Sequence, residues 1–184
     1  MARLTTTLGA GTAHGASTAG GKPWRQPAIL AISASLALAL GAVVYLTDRD
    51  ASRAMLIPAT AAFAGGKVFG VLGQWLPSFV HAFAFSLFTA AVLAPRSAPR
   101  YGACLAWGAI NVAFEVGQHP LVSASLADAL QGPLGAMPMA QALARYFVQG
   151  TFDRGDIVAA LSGALAAGAL LHFMHRGQEN RHAQ

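Results

Sequence analysis

The chain has 184 residues, of which 55% are hydrophobic and 10% charged, and a formal net charge of +5. Soluble domains carry about a quarter charged residues, so this composition excludes an ordinary soluble domain and points to a membrane protein. The basic residues flank apolar runs and form no stripe, so the positive charge reads as a topology signal and not as a nucleic-acid surface.

Residues 1–26 are rich in Gly, Ala, Thr and Ser without apolar periodicity, and read as a disordered cytoplasmic tail. The first long apolar run, 28–46, follows Arg25. The tail before it is long and Val44-Tyr45-Leu46-Thr47 is a poor cleavage site, so the run reads as a retained signal-anchor helix. Residues 54–74 are apolar but interrupted by Gly65, Gly66 and Lys67, which suits a re-entrant or interfacial segment better than a span.

Further apolar runs cover 76–94, 101–119 and 157–175, each close to the roughly 20 residues that cross a bilayer as a helix. Between the last two lies a long loop, 120–155, in which 136–148 can form a short surface helix with Tyr146 and Phe147 at headgroup level. Residues 177–184 read as a second cytoplasmic tail. Cys104, the lone cysteine, falls inside a span and reads as a small packing residue.

With the N-terminus in the cytoplasm, Arg3, Lys22, Arg25, Arg96, Arg100, Arg176 and Arg181 lie inside, against Arg49, Arg53, Lys67, Arg145 and Arg154 outside, seven to five. Making 54–74 a span would move Arg96 and Arg100 outside, against this bias. The expected fold is therefore an all-α polytopic bundle over 27–176, with four transmembrane helices, N-in and C-in.

Glu115 stands in an otherwise apolar stretch. A charge at the centre of a lipid-embedded helix costs roughly 2.5–3.5 kcal/mol on insertion scales, so it needs a partner or a purpose. Under the expected topology His81 lies roughly 7 Å below the outer end of its helix at ~1.5 Å per residue. Glu115, Gln118, Asp153 and Asp156 fall at about the same level. Trp107, Asn111, Glu115 and Gln118 share one helical stripe; Ser78, His81, Phe85 and Thr89 share another; Asp156, Ala160, Gly163 and Ala167 form a third, small below its acid. The inference is an outward-facing polar pocket. In it Glu115 and His81 form an acid/base pair, with Gln118, Asn111, Asp153 and Asp156 as ligand-binding residues. The plainer alternatives stay open: Glu115 and His81 as interhelical glue, and Asp153 and Asp156 as caps on the last helix. One His and several carboxylates could hold a divalent cation, but no tight metal motif, P-loop, nucleophile elbow or CxxC is present, so no metal or cofactor is assigned.

The series of His81, then Glu115-Val116-Gly117-Gln118, then Asp153-Arg154-Gly155-Asp156 with Gly163 seven residues on, resembles the VanZ-like integral membrane proteins. The similarity runs over about 76–168. The chain departs from the family's pattern at Ser78, where a Lys is common, at Gly150 in place of an Arg, and at Ala160 in place of an Asn. The segment from Gln118 to Asp153 is also long. The family takes its name from glycopeptide resistance, and similar proteins are associated with exopolysaccharide or other envelope functions. The resemblance thus implies a bacterial inner-membrane protein that binds or modifies a lipid or lipid-linked envelope intermediate. A non-catalytic accessory subunit of an envelope-polysaccharide system, with 120–155 as its contact surface, and a small proton-coupled transporter are the alternatives. The expected partners are the bilayer, such an intermediate and an envelope-biosynthesis protein. Four short helices bury little, which admits a homodimer.

Overall fold

The computed structural model describes residues 25–48, 68–93, 97–132 and 134–182. Among them every regular element is an α-helix: α1 (Arg25–Asp48), α2 (Leu72–Val92), α3 (Ser97–Gly117), α4 (Pro120–Gln131), α5 (Pro138–Gln149) and α6 (Arg154–His182). The expected tail at the N-terminus lies outside the described residues, except that Arg25 and Gln26 open α1. The segment expected at 54–74 falls mostly outside them too; its end forms the turn into α2, with Gly70 at φ 55°.

Four long helices correspond to the four apolar runs, and three of them, α1, α2 and the first 24 residues of α6, are long and apolar enough to cross a membrane. Their outer surfaces support a membrane setting. Ile32 and Leu36 on α1, Leu105 on α3, and Leu165 and Phe173 on α6 are each more than half exposed. Aqueous proteins rarely leave so much contiguous apolar surface uncovered.

Contacts fix the relative directions of the helices. Asp48 reaches the start of α2 while Gly41 lies against Val80, so α1 and α2 are antiparallel. Trp107 donates to the Thr89 hydroxyl at 2.9 Å, Cys104 shares a core with Leu87 and Ala90, and Asn111 and Glu115 share a cavity with Ser78 and His81, so α3 runs back along α2. Asp156 meets Ser78, whereas Leu171, farther along α6, shares a core with Leu87 and Ala90, so α6 runs parallel to α2. That core draws on all four long helices: Leu30 and Ala34, Ala84 and Leu87, Cys104, Ala167 and Leu171. Cys104 is the packing residue its surroundings suggest, its thiol donating to the Arg100 carbonyl.

Residues 120–155 differ from the loop expected. They form the α4–α5 pair, the two helices packing on each other. Each opens on a proline, Pro120 and Pro138, and stops at a glycine, Gly132 and Gly150. Proline suits the first helical turn because its missing N–H would have no partner there, and glycine suits the end. His119 adds a cap, its Nδ1 accepting from the Leu121 N–H at 3.3 Å. The helix expected over 136–148 appears as α5. At the other end, α6 runs on to His182, through most of the expected tail.

The small stripe on α6 lets α2 come close. A Cβ on Gly163 would run into the main-chain carbonyl of Phe79, whereas one on Gly168 would meet nothing within 4 Å. Gly163→Ala is therefore expected to lose about 1–3 kcal/mol of stability through overpacking. Gly168→Ala gains from the better helix propensity of alanine or stays neutral. Thermal unfolding of the detergent-solubilised variants checks this; equal melting would mean that α2 and α6 do not pack this way.

Candidate functional site

Where α2, α3 and α6 meet the α4–α5 pair, a cavity of about 360 Å³ opens. His81 from α2, Asn111, Glu115 and Gln118 from α3 and its end, and Asp156 from α6 all line it, so five of the six residues singled out from sequence meet in one place. Asp153 stands just behind the wall.

The geometry follows from how α6 begins. Asp153 is its N-cap: Oδ1 accepts from the Gly155 N–H at 2.7 Å, and Oδ2 accepts from the Trp75 indole at 3.1 Å. Such a cap satisfies one of the N–H groups that the first helical turn leaves unpaired. The backbone N–H of Asp153 then turns toward α3 and donates to Glu115 Oε1. Asp156, one turn into α6, accepts from the Ser78 hydroxyl at 2.7 Å. The capping role open from sequence thus holds for Asp153, and Asp156 in addition ties α6 to α2. Gly155 is required by contact, since any Cβ there would overlap the Trp75 indole.

Glu115 and Gln118 are both nine-tenths buried. Gln118 Nε2 donates to the Tyr146 hydroxyl at 2.9 Å, which draws α5 over the cavity. Burial, with the nearby Glu115 charge in the same sense, pushes the Tyr146 phenol above its usual range, so it stays neutral at physiological pH. Asn111 points its amide back to the Trp107 carbonyl at 2.8 Å, which leaves its side-chain oxygen for other partners. His81 stacks on Phe85, and Phe85 on Trp107, so an aromatic column underlies the polar residues. Among the described residues the His81 side chain makes no hydrogen bond. It shares the cavity with Glu115 but is not bonded to it, which leaves its nitrogens available to a ligand.

Several lining residues carry no warning in the sequence. Tyr45 arrives from α1, and Tyr146, Gln149 and Thr151 from α5 and the link to α6. Tyr146 reads from sequence as a headgroup-level aromatic; only the fold of α4 and α5 turns it inward. Ser78 lies on the stripe with His81, and its bond to Asp156 is the part that stripe positions alone do not reveal.

Chemically, the site offers two carboxylates, an imidazole and neutral oxygens facing one small space. Among the described residues no group of three His, Cys, Asp or Glu side chains is placed to hold a metal ion. The carboxylates and the imidazole can exchange protons with a ligand, and the neutral oxygens can hydrogen-bond it.

The Glu115 bond gives a direct test. Glu115→Ala leaves the Asp153 N–H without its acceptor and is expected to cost about 1–3 kcal/mol. Glu115→Gln retains an acceptor oxygen and should melt within about 1 kcal/mol of the wild type. Equal losses for the two variants in thermal unfolding would mean that this bond does not form. Comparison of the chain with protein-family models, with curated proteins and with solved structures gives no match.

Proposed function

We propose that the chain is a four-pass, VanZ-like protein of the bacterial cytoplasmic membrane, with both termini inside. Its pocket faces outward and binds, or modifies, a lipid or lipid-linked cell-envelope intermediate. The observation that carries the reading is Glu115, an acid nine-tenths buried among apolar helices and yet lining a cavity. Acids inside a membrane bundle are expensive and mark ligand or proton sites.

The alternating directions of α1, α2, α3 and α6 suit four passes, and put the cavity at the end opposite Arg25 and Arg100. Those two cations then lie inside, as the positive-inside bias asks. In this reading Glu115 is the acid/base or gripping residue and His81 its partner across the cavity. Gln118 and Asn111 orient the ligand, while Asp153 and Asp156 shape the rim. A volume of about 360 Å³ suits a head group and not a polymer segment. The apolar exterior of the helices keeps acyl chains in the bilayer beside it. The VanZ-like likeness rests on the spacing of His81, Glu115, Gln118, Asp153, Asp156 and Gly163.

The accessory-subunit reading draws on a different observation. The α4–α5 pair exposes Leu121, Met137 and Met139, an apolar surface suited to a protein partner or to the membrane interface.

One experiment separates the two. Membrane lipids and lipid-linked precursors are profiled by mass spectrometry in cells making wild type or Glu115→Gln at matched levels. The expected result is a species that shifts with wild type and not with the variant. Identical profiles at equal membrane insertion would move the assignment to the accessory subunit.

A further inference from the structure

We infer that Arg100 and Gln26 form an anion site at the end of the bundle opposite the cavity, taking a phosphate group from a lipid head group or a soluble phosphate. The site is independent of what the cavity binds. Helices α1 and α3 both start at this end. Arg100, in the first turn of α3, reaches across to α1, its Nη1 donating to Gln26 Oε1 at 3.3 Å. Arg100 is nine-tenths buried, and its Nε is enclosed without any hydrogen-bond partner. A guanidinium carries five N–H donors and keeps its charge at physiological pH, so burial leaves it in need of acceptors and a counter-charge. One long bond to a neutral oxygen meets little of that need.

Among the described residues no carboxylate bonds to Arg100. Asp48, Glu115, Asp153 and Asp156 gather toward the cavity end, Asp50 follows Asp48 by two residues, and Asp128 lies on α4, beyond the end of α3. Glu179, in the last turns of α6, is the one acid that the chain brings toward this end, and it is the rival counter-ion. The surroundings suit phosphate. Neither α1 nor α3 has an acid in its first turn, where the leading N–H groups of a helix attract an anion. The arginine fork matches two phosphate oxygens. The Gln26 amide nitrogen, without a partner among the described residues, adds a donor beside it. Basic pockets between helix ends in a membrane lie where phospholipids present their phosphates.

The test uses the purified full chain in an uncharged maltoside detergent. Binding is measured for short-chain phosphatidylglycerol, for the matching diacylglycerol without phosphate, and for inorganic phosphate. The expected result is that phosphatidylglycerol binds about tenfold or more tightly than the diacylglycerol, and that Arg100→Gln erases this preference. Gln26→Glu, which sets a carboxylate beside the guanidinium, is expected to erase it as well and keeps the test open if Arg100→Gln fails to fold. Thermal melts report on folding. Arg176→Gln removes an exposed cation farther along α6 and should leave the preference within about twofold. An equal loss in Arg176→Gln overturns the site, because the attraction is then general charge. A preference that survives in folded Arg100→Gln or Gln26→Glu also overturns it. Arg100-dependent binding of inorganic phosphate without a difference between the lipids supports the site and identifies a soluble phosphate as the source. Equal binding of the lipids with no binding of inorganic phosphate overturns it, and a preference that then emerges in Glu179→Gln identifies Glu179 as the counter-ion.

Discussion

A carboxylate held between apolar helices needs hydrogen-bond donors from the protein, because burial strips away much of its hydration. Glu115 finds one in the backbone N–H of Asp153, a residue 38 positions away in the chain. That single contact joins the end of α3 to the start of α6. It also fixes where the intervening residues must go: with both ends pinned at the cavity mouth, 120–150 folds back on itself as α4 and α5. The bond is made to a main-chain group, so it constrains the path of the backbone and not merely one rotamer. The side chain of Asp153 reinforces it by capping α6 and holding Trp75 of α2.

Below this polar level the bundle is held by contact. Gly163 presses on the backbone of α2, and the cluster of Leu30, Ala84, Leu87, Cys104 and Ala167 fills the space among α1, α2, α3 and α6. Small residues suit this work in lipid, where no hydrophobic effect drives helices together and dispersion at short range has to suffice. The column of His81, Phe85 and Trp107 separates the two regimes. Its upper end faces the cavity and its lower end hydrogen-bonds Thr89. The carboxylates and His81 are thereby gathered at one end of the bundle, while Ser86 and Arg100 are buried farther along it.

The confinement gives the pocket its electrostatic character. Acids gather where α6 starts, a place that favours negative charge because the first N–H groups of a helix point outward. The same feature that stabilises Asp153 and Asp156 structurally therefore builds an acidic wall. Glu115 extends this wall to a depth where burial makes its charge expensive.

Much of this was legible from residue order. Composition and four apolar runs sufficed for an all-helical, membrane-embedded chain, because hydrocarbon permits few other backbone solutions. Helical periodicity grouped His81 with Ser78, and Glu115 with Asn111 and Gln118, because residues three and four apart must share a face. The proline–glycine punctuation of α4 and α5 was also present, but short apolar segments between spans carry too little periodicity to announce a helix pair. What the tertiary structure alone decided is which groups touch. Glu115 bonds to a backbone N–H rather than to His81, Asp156 takes the Ser78 hydroxyl, and Tyr45 and Tyr146 close the cavity from helices that no spacing rule connects to it. Periodicity places a residue on a face of its own helix; only packing determines what stands opposite.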